Sequence, residues 1–215
     1  MTDTELAEAQ LELPLLAAPR TEVFLVETAE ELEEAVETLA AAKGAFAVDA
    51  ERASGFKYSQ RAYLIQVYRA GSPIYLIDPA AIAPTTDRAP FVALAEVMST
   101  APWILHAASQ DIPCLRELGL EATALFDTEL GSRIAGLDRV GLGAVTEALL
   151  GVRLAKEHSA VDWSTRPLAN DWLNYAALDV DVLFDLWNAV EAVLTERNKL
   201  SWAQQEFAAT LAAQP

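Results

Sequence analysis

The stretch Ala45-Phe46-Ala47-Val48-Asp49-Ala50-Glu51-Arg52 is an apolar run closed by two acids and a base. It reads as a strand over Ala45–Glu51, and strand side chains alternate between faces, so Asp49 and Glu51 point the same way. Upstream, Val23–Val26 reads as an edge strand and Thr28-Ala29-Glu30-Glu31 as a capping box. That box opens an amphipathic helix ending near Lys43-Gly44. Downstream, Tyr63–Arg69 and Ile74–Ile77 are strands joined through Ala70-Gly71-Ser72-Pro73 as a hairpin. Trp103–His106 is a short buried strand. Ser109 then caps a helix running to Gly119, with Pro113 tolerated in its first turn. Further helices are expected near Thr128–Ala135, Leu142–Leu150 and Asp171–Leu194. Strands dominate early and helices late, which predicts an α/β fold with a mixed central sheet covered by helices.

Two further acids stand where packing has no use for them. Asp111 falls in the first turn of the helix after Trp103–His106, where the helix dipole favours its ionised form. In the helix over Asp171–Leu194, Trp172, Ala176, Leu183, Trp187, Val190 and Leu194 form one apolar stripe, and Asp179 falls inside it. Asp181 and Asp185 project to the solvated side at about 100° per residue. A carboxylate facing a core is costly unless paired or bound to metal, so a cation is expected at Asp179. Tyr175 precedes Asp179 by four residues and shares its direction.

Taken in order, D-x-E at Asp49 and Glu51, H-x4-D at His106 and Asp111, and Y-x3-D at Tyr175 and Asp179 resemble the DEDD superfamily of 3′–5′ exonucleases, in its tyrosine-bearing branch. Other stretches resemble ribonuclease D. They are Gln60-Arg61-Ala62-Tyr63-Leu64-Ile65-Gln66 ahead of Tyr75-Leu76-Ile77-Asp78-Pro79, then Phe126-Asp127-Thr128, and Lys156 followed by Asp162-Trp163-Ser164-Thr165-Arg166-Pro167-Leu168. The resemblance covers residues 22 to 190. It implies a ribonuclease H-like fold and a metal-dependent exonuclease that removes nucleoside 5′-monophosphates from single-stranded RNA 3′ ends, as in tRNA 3′ processing. It also implies two divalent ions, Mg²⁺ or Mn²⁺, held by Asp49, Glu51, Asp111 and Asp179. Asp49 would bridge them, Glu51 and Asp179 would hold the ion on the nucleophile side, and Asp111 would position the second ion through water. Such hard cations prefer oxygen donors. A pair about 3.5–4 Å apart can activate water and stabilise a leaving oxygen. By the same resemblance the Tyr175 hydroxyl orients the attacking water, and His158 is not needed as a base.

The resemblance places substrate contacts at Arg52, Gln66, His106, Lys156, Trp163 and Arg166, and most of these have a second reading. His106, at the end of a buried strand, reads first as a satisfied core histidine and second as a ligand. Lys156 and Arg166 are either phosphate contacts or salt-bridge partners of nearby acids, Asp179 included. Trp163 either stacks on a base or anchors packing before the Arg-Pro turn. Arg52 departs from the aromatic or aliphatic residue common after D-x-E, which bears on the shape of the terminal-nucleotide pocket. Asp127 reads as structural, capping the helix after it or holding the loop.

Charge sets a limit on this reading. The 215 residues carry a net charge of −17, which argues against a protein that grips nucleic acid along its phosphates. Residues 1–37 hold 11 of the 32 acids against one base, Arg20, so the excess is concentrated at one end. An enzyme that meets one single-stranded end needs only a local basic lining, and salt-sensitive binding is expected. The length suits one domain. Residues 1–20 read as a flexible acidic arm, 21–195 as the exonuclease domain, and 196–215 as a helical extension with a helix around Trp202–Leu211. No HRDC domain, of the kind that helps ribonuclease D-like chains hold RNA, is expected there. No apolar run is long enough for a bilayer, the N-terminus is acidic, and Cys114 is the lone cysteine. A cytoplasmic protein without membrane or obligate protein partner is therefore expected. A DNA 3′–5′ exonuclease shares the same acids and would be separated by indifference to the 2′-hydroxyl. A non-catalytic scaffold on the same fold would be separated by failure to bind metal.

Overall fold

The acids that close the Ala45–Arg52 run lie on one face of a strand, Phe46–Arg52 (β3), in the computed structural model, which describes residues 13–53, 61–83, 85, 87–155 and 161–213. Gln60, Lys156, His158 and the first 12 residues of the acidic arm lie outside that description. Alternation along β3 feeds two cores. Phe46, Val48 and Ala50 pack into one, Ala45 and Ala47 into the other, and Asp49 and Glu51 continue the Ala47 face.

The strands are β1 (Leu15–Leu16), β2 (Val23–Val26), β3, β4 (Ala62–Arg69), β5 (Ile74–Ile77), β6 (Trp103–Leu105), β7 (Leu125–Asp127) and β8 (Arg153–Leu154). Six of them form one sheet in the order β2-β5-β4-β3-β6-β7. Strand β4 is antiparallel to β3 and β5, and every other neighbouring pair is parallel, which is the mixed sheet expected. The helices are α1 (Ala29–Ala41), α2 (Pro79–Ile82), α3 (Val92–Met98), α4 (Ile112–Glu117), α5 (Thr128–Ala135), α6 (Leu142–Leu150), α7 (Asn170–Asp181), α8 (Leu183–Glu196) and α9 (Leu200–Ala212). Helices α1 and α3 cover one face of the sheet, and α7, α8 and α9 cover the other. The capping box forms as read: Thr28 Oγ1 accepts the Glu31 N–H at 3.2 Å, and the Glu31 carboxylate accepts the Thr28 N–H at 3.0 Å. Among the described residues, no helix is long and apolar enough to cross a membrane.

Four expectations need correction. The helix over Asp171–Leu194 is two helices, α7 and α8, interrupted at Val182 without a proline or glycine. Asp181 is not solvated: it is 3% exposed and paired with Arg20, whose Nε lies 2.8 Å from its carboxylate. The helix expected from Ser109 to Gly119 shrinks to α4. Ala107 adopts a left-handed φ of 63°, and the Asp127 carboxylate accepts the N–H groups of Ala107 and Ala108. Asp111 therefore sits just before α4 rather than within its first turn. Finally, the last residues of the expected arm are tied down, because β1 pairs in parallel with β8 and Arg20 reaches α7.

Arg166 holds the loop before α7 to the sheet. Its guanidinium donates to both oxygens of Asp78, at 2.5 and 2.8 Å, and to the carbonyl of Tyr63 at 2.9 Å. Asp78, fully buried, also caps α2 through the N–H groups of Ala80 and Ala81. Removing one partner of a buried pair strands the other charge, at a cost of about 3–5 kcal/mol. Arg166→Met should therefore lower the free energy of unfolding by that amount in urea titrations, without changing the m-value.

Candidate active site

Two elements meet to make the site. Strand β3 supplies Asp49 and Glu51 on one face, and α7 packs across β3, β4 and β5 on that same face, bringing Tyr175 and Asp179 over them. Carboxylate oxygens of Asp49, Glu51 and Asp179 lie within 4.8 Å of one another. Asp111, at the start of α4, joins them through a hydrogen bond with Asp49. All four acids, with Tyr175, Arg52, His106, Gln110, Leu142 and Leu183, line one cleft of about 310 Å³. Gln110, Leu142 and Leu183 had no sequence signal, since a glutamine and two leucines at helix starts are unremarkable there.

The electrostatics are those of acids buried against one another. Burial, more than any neighbour, pushes Asp49 up to about 7; the Ala50 N–H, the Arg52 guanidinium and a hydrogen bond from Asp111 act against it. Burial followed by the negative charge of Asp49 pushes Asp111 up to about 9. The helix dipole expected to keep Asp111 ionised is overridden. Each of these two carboxyls bears on the other's protonation. Burial and then the charge of Asp49 hold Glu51 and Asp179 well above the usual carboxylate range. Tyr175 donates its hydroxyl to Asp179, and burial beside Asp179, Glu51 and Asp49 raises its own pKa. It stays protonated and cannot serve as a phenolate base.

The remaining predicted contacts divide. Arg52 and His106 line the cleft. Burial lowers His106 to about 4, so it is neutral, and its Nδ1 lies 2.8 Å from the Thr128 hydroxyl. Gln66 is corrected: it is fully buried opposite Asp49 in the β3–β4 register, and its amide donates to Asp49 and Glu51 at 3.3 Å each. It steadies the acids from beneath rather than touching a substrate. Arg166 is corrected as well, being committed to Asp78. Trp163 is 3% exposed and packs edge-on against Trp172 at 5.8 Å, an anchor and not a stacking platform. Asp127 is structural as read, since it caps α5 through Glu129 and Leu130 while holding the 107–108 turn.

Three half-buried carboxyls, Asp49, Glu51 and Asp179, and the buried Asp111 are all oxygen donors, which fit hard divalent ions and suit neither soft metals nor an organic cofactor. Groups whose folded pKa lies above an unfolded value of about 4 contribute stability that is full below that pH and is lost as pH rises through the folded value. With Asp49 at about 7 and Asp111 at about 9, the window runs from pH about 4 to 9. In EDTA, denaturation midpoints should fall across that window, and less so in Asp111→Asn. Added Mn²⁺ displaces those protons, so its stabilisation should grow with pH. It should reach about 2.7 kcal/mol at a hundredfold excess over Kd.

Comparison with known proteins agrees with this geometry. Residues 23–195 match the family described as 3′–5′ exonuclease. Ribonuclease D of Acidiphilium cryptum (strain JF-5) is 35% identical over 189 residues, covering 87% of this chain and 47% of that protein. A solved structure of a protein from Bifidobacterium adolescentis superposes with a TM-score of 0.87 at 46% identity, covering 94% of this chain and 48% of that one. Escherichia coli RNase D, described as an exoribonuclease involved in structured RNA processing, superposes with a TM-score of 0.73 at 26% identity, covering 89% and 50%. The chain thus spans about half the length of each of these three relatives.

Proposed function

Because this chain belongs to the 3′–5′ exonuclease family, we propose that it is a metal-dependent exoribonuclease of the ribonuclease D type, releasing nucleoside 5′-monophosphates from RNA 3′ ends such as those of tRNA precursors, in the cytoplasm. The observation that carries the reading is the convergence of Asp49, Glu51 and Asp179 within 4.8 Å, with Asp111 and Tyr175 in the same cleft.

Asp49, Glu51, Asp111 and Asp179 would hold two divalent ions, Mg²⁺ or Mn²⁺, which when bound supply the positive charge that lowers the pKa of water and stabilises the departing oxygen. The rest falls to the chain itself. Tyr175, kept protonated, holds the attacking water by its hydroxyl; Asp179 accepts from that hydroxyl and fixes its direction. Water attacks phosphorus and the 3′ oxygen of the preceding nucleotide leaves, which gives the 5′-monophosphate product. Leu142 and Leu183 provide apolar wall for the terminal nucleotide, and Arg52 gives an otherwise acidic lining a cation to face the phosphate. His106, neutral, leaves the anion balance of the cleft unchanged.

Two measurements test this. Tyr175→Phe keeps the ring and loses the hydroxyl, so Mn²⁺ binding by calorimetry should survive while hydrolysis falls by about 10²-fold. Full activity in that variant would remove Tyr175 from the mechanism. The second is a time course on a 5′-labelled RNA hairpin with a 3′ tail, beside its DNA counterpart. Single-nucleotide steps should stop near the stem, because a duplex cannot enter a pocket for unstacked bases. They should slow steeply with salt, and the RNA tail should be preferred. Internal cuts, or a tail resistant in Mn²⁺, would overturn the reading.

A further inference from the structure

Residues 13–20 lie outside the segment that matches the family, which begins at residue 23, yet they are bound across the helix that carries half of the site. Strand β1 anchors the segment on β8. The carbonyl of Ala17 accepts from the Asn174 side chain at 2.7 Å, one residue before Tyr175. Arg20 then makes three contacts at the far end of α7 and one at the start of α8. Its Nε and backbone N–H donate to the Asp181 carboxylate at 2.8 and 3.2 Å, its Nη2 to the Asp181 carbonyl at 2.7 Å, and its Nη1 to Asp185 at 2.7 Å. The segment therefore grips α7 on both sides of the Tyr175–Asp179 pair. We propose that it is a positioning strap for the catalytic helix and that Arg20 is the residue through which it sets Tyr175 and Asp179.

Three physical needs converge on Arg20. The Asp181 side chain is 1% exposed, and a carboxylate so desolvated requires a partner; Arg20 supplies it. The helix is interrupted at Val182, and the guanidinium takes the Asp181 carbonyl at the interruption, where backbone acceptors would otherwise go unmet. Asp179 lies in the last turn of α7, the turn most prone to fray, and it faces Asp49 and Glu51 across less than 4.8 Å. That turn is crowded against two other half-buried carboxyls, and Arg20 pins it from behind. A displacement of about 1 Å at a reacting group costs on the order of 10²-fold in rate, so a pin at this point acts on turnover more than on substrate binding.

This inference rests on the exonuclease reading, and its test separates the two. In the full chain, Arg20→Ala should speed amide hydrogen exchange across residues 170–181 while the central strands keep their protection, a readout that needs neither metal nor RNA. By calorimetry the variant should bind Mn²⁺ about tenfold more weakly. On a single-stranded RNA tail, kcat should fall about tenfold with KM within about twofold. Arg20→Lys, which restores a cation to Asp181 without the guanidinium fork, should recover part of each loss and keeps the test open should Arg20→Ala unfold. Asp185→Ala, which removes only the exposed partner, should match wild type. Unchanged exchange over 170–181, or faster exchange with unaltered Mn²⁺ affinity and kcat, would overturn the strap. A wild type that shows no 3′–5′ hydrolysis would sink the exonuclease reading while exchange still reported on the strap.

Discussion

Burial of several carboxyls in one cleft is the constraint around which this fold is organised. Buried acids elsewhere in the molecule show what a settled carboxylate looks like. Asp78 has Arg166 and two backbone N–H groups, Asp127 has four N–H groups, and Asp181 has Arg20. The acids of the cleft are answered by neutral donors and by one another: Asp49 and Glu51 share one amide of Gln66, Asp49 also has the Ala50 N–H and the Asp111 carboxyl, and Asp179 has the hydroxyl of Tyr175. The contrast locates the site more sharply than acidity does, since Asp78, Asp127 and Asp181 are each answered by a cation or by four N–H groups. The settled acids also build the frame: Asp78 ties the loop before α7 to the sheet, Asp127 bends the chain ahead of Asp111, and Asp181 receives Arg20.

Much of this was legible in the chain. Period-two alternation put Asp49 and Glu51 on one strand face, and a four-residue spacing put Tyr175 and Asp179 on one helix face. Both are local properties of backbone geometry and held without help from the rest of the molecule. What failed did so where a distant residue intervened. The interruption at Val182 carries no proline or glycine, and Arg20, 161 positions away, is bonded at its edge. Asp181 looked solvated for the same reason. The helix after Ser109 was shortened by a carboxylate 20 residues downstream that draws Ala107 into a left-handed turn. Arg166, Gln66 and Trp163 have the right chemistry for RNA, but chemistry alone does not say whether a cation, an amide or an indole faces a ligand or the protein. Burial decided each of them.

The contact between Arg20 and Asp181 also has a meaning in time. A ribosome delivers residue 20 long before residue 181, and β1 must likewise wait for β8, 138 positions on from Leu15 to Arg153. Loop closure over such distances costs entropy that only the finished body can repay, so the strap belongs among the last pieces to dock. The sheet and both cores can assemble from sequence-local hairpins and neighbouring helices while the N-terminal segment is still unattached. The centre of the molecule can thus be built before α7 is fastened, so that the cleft is completed from the end of the chain that was made first.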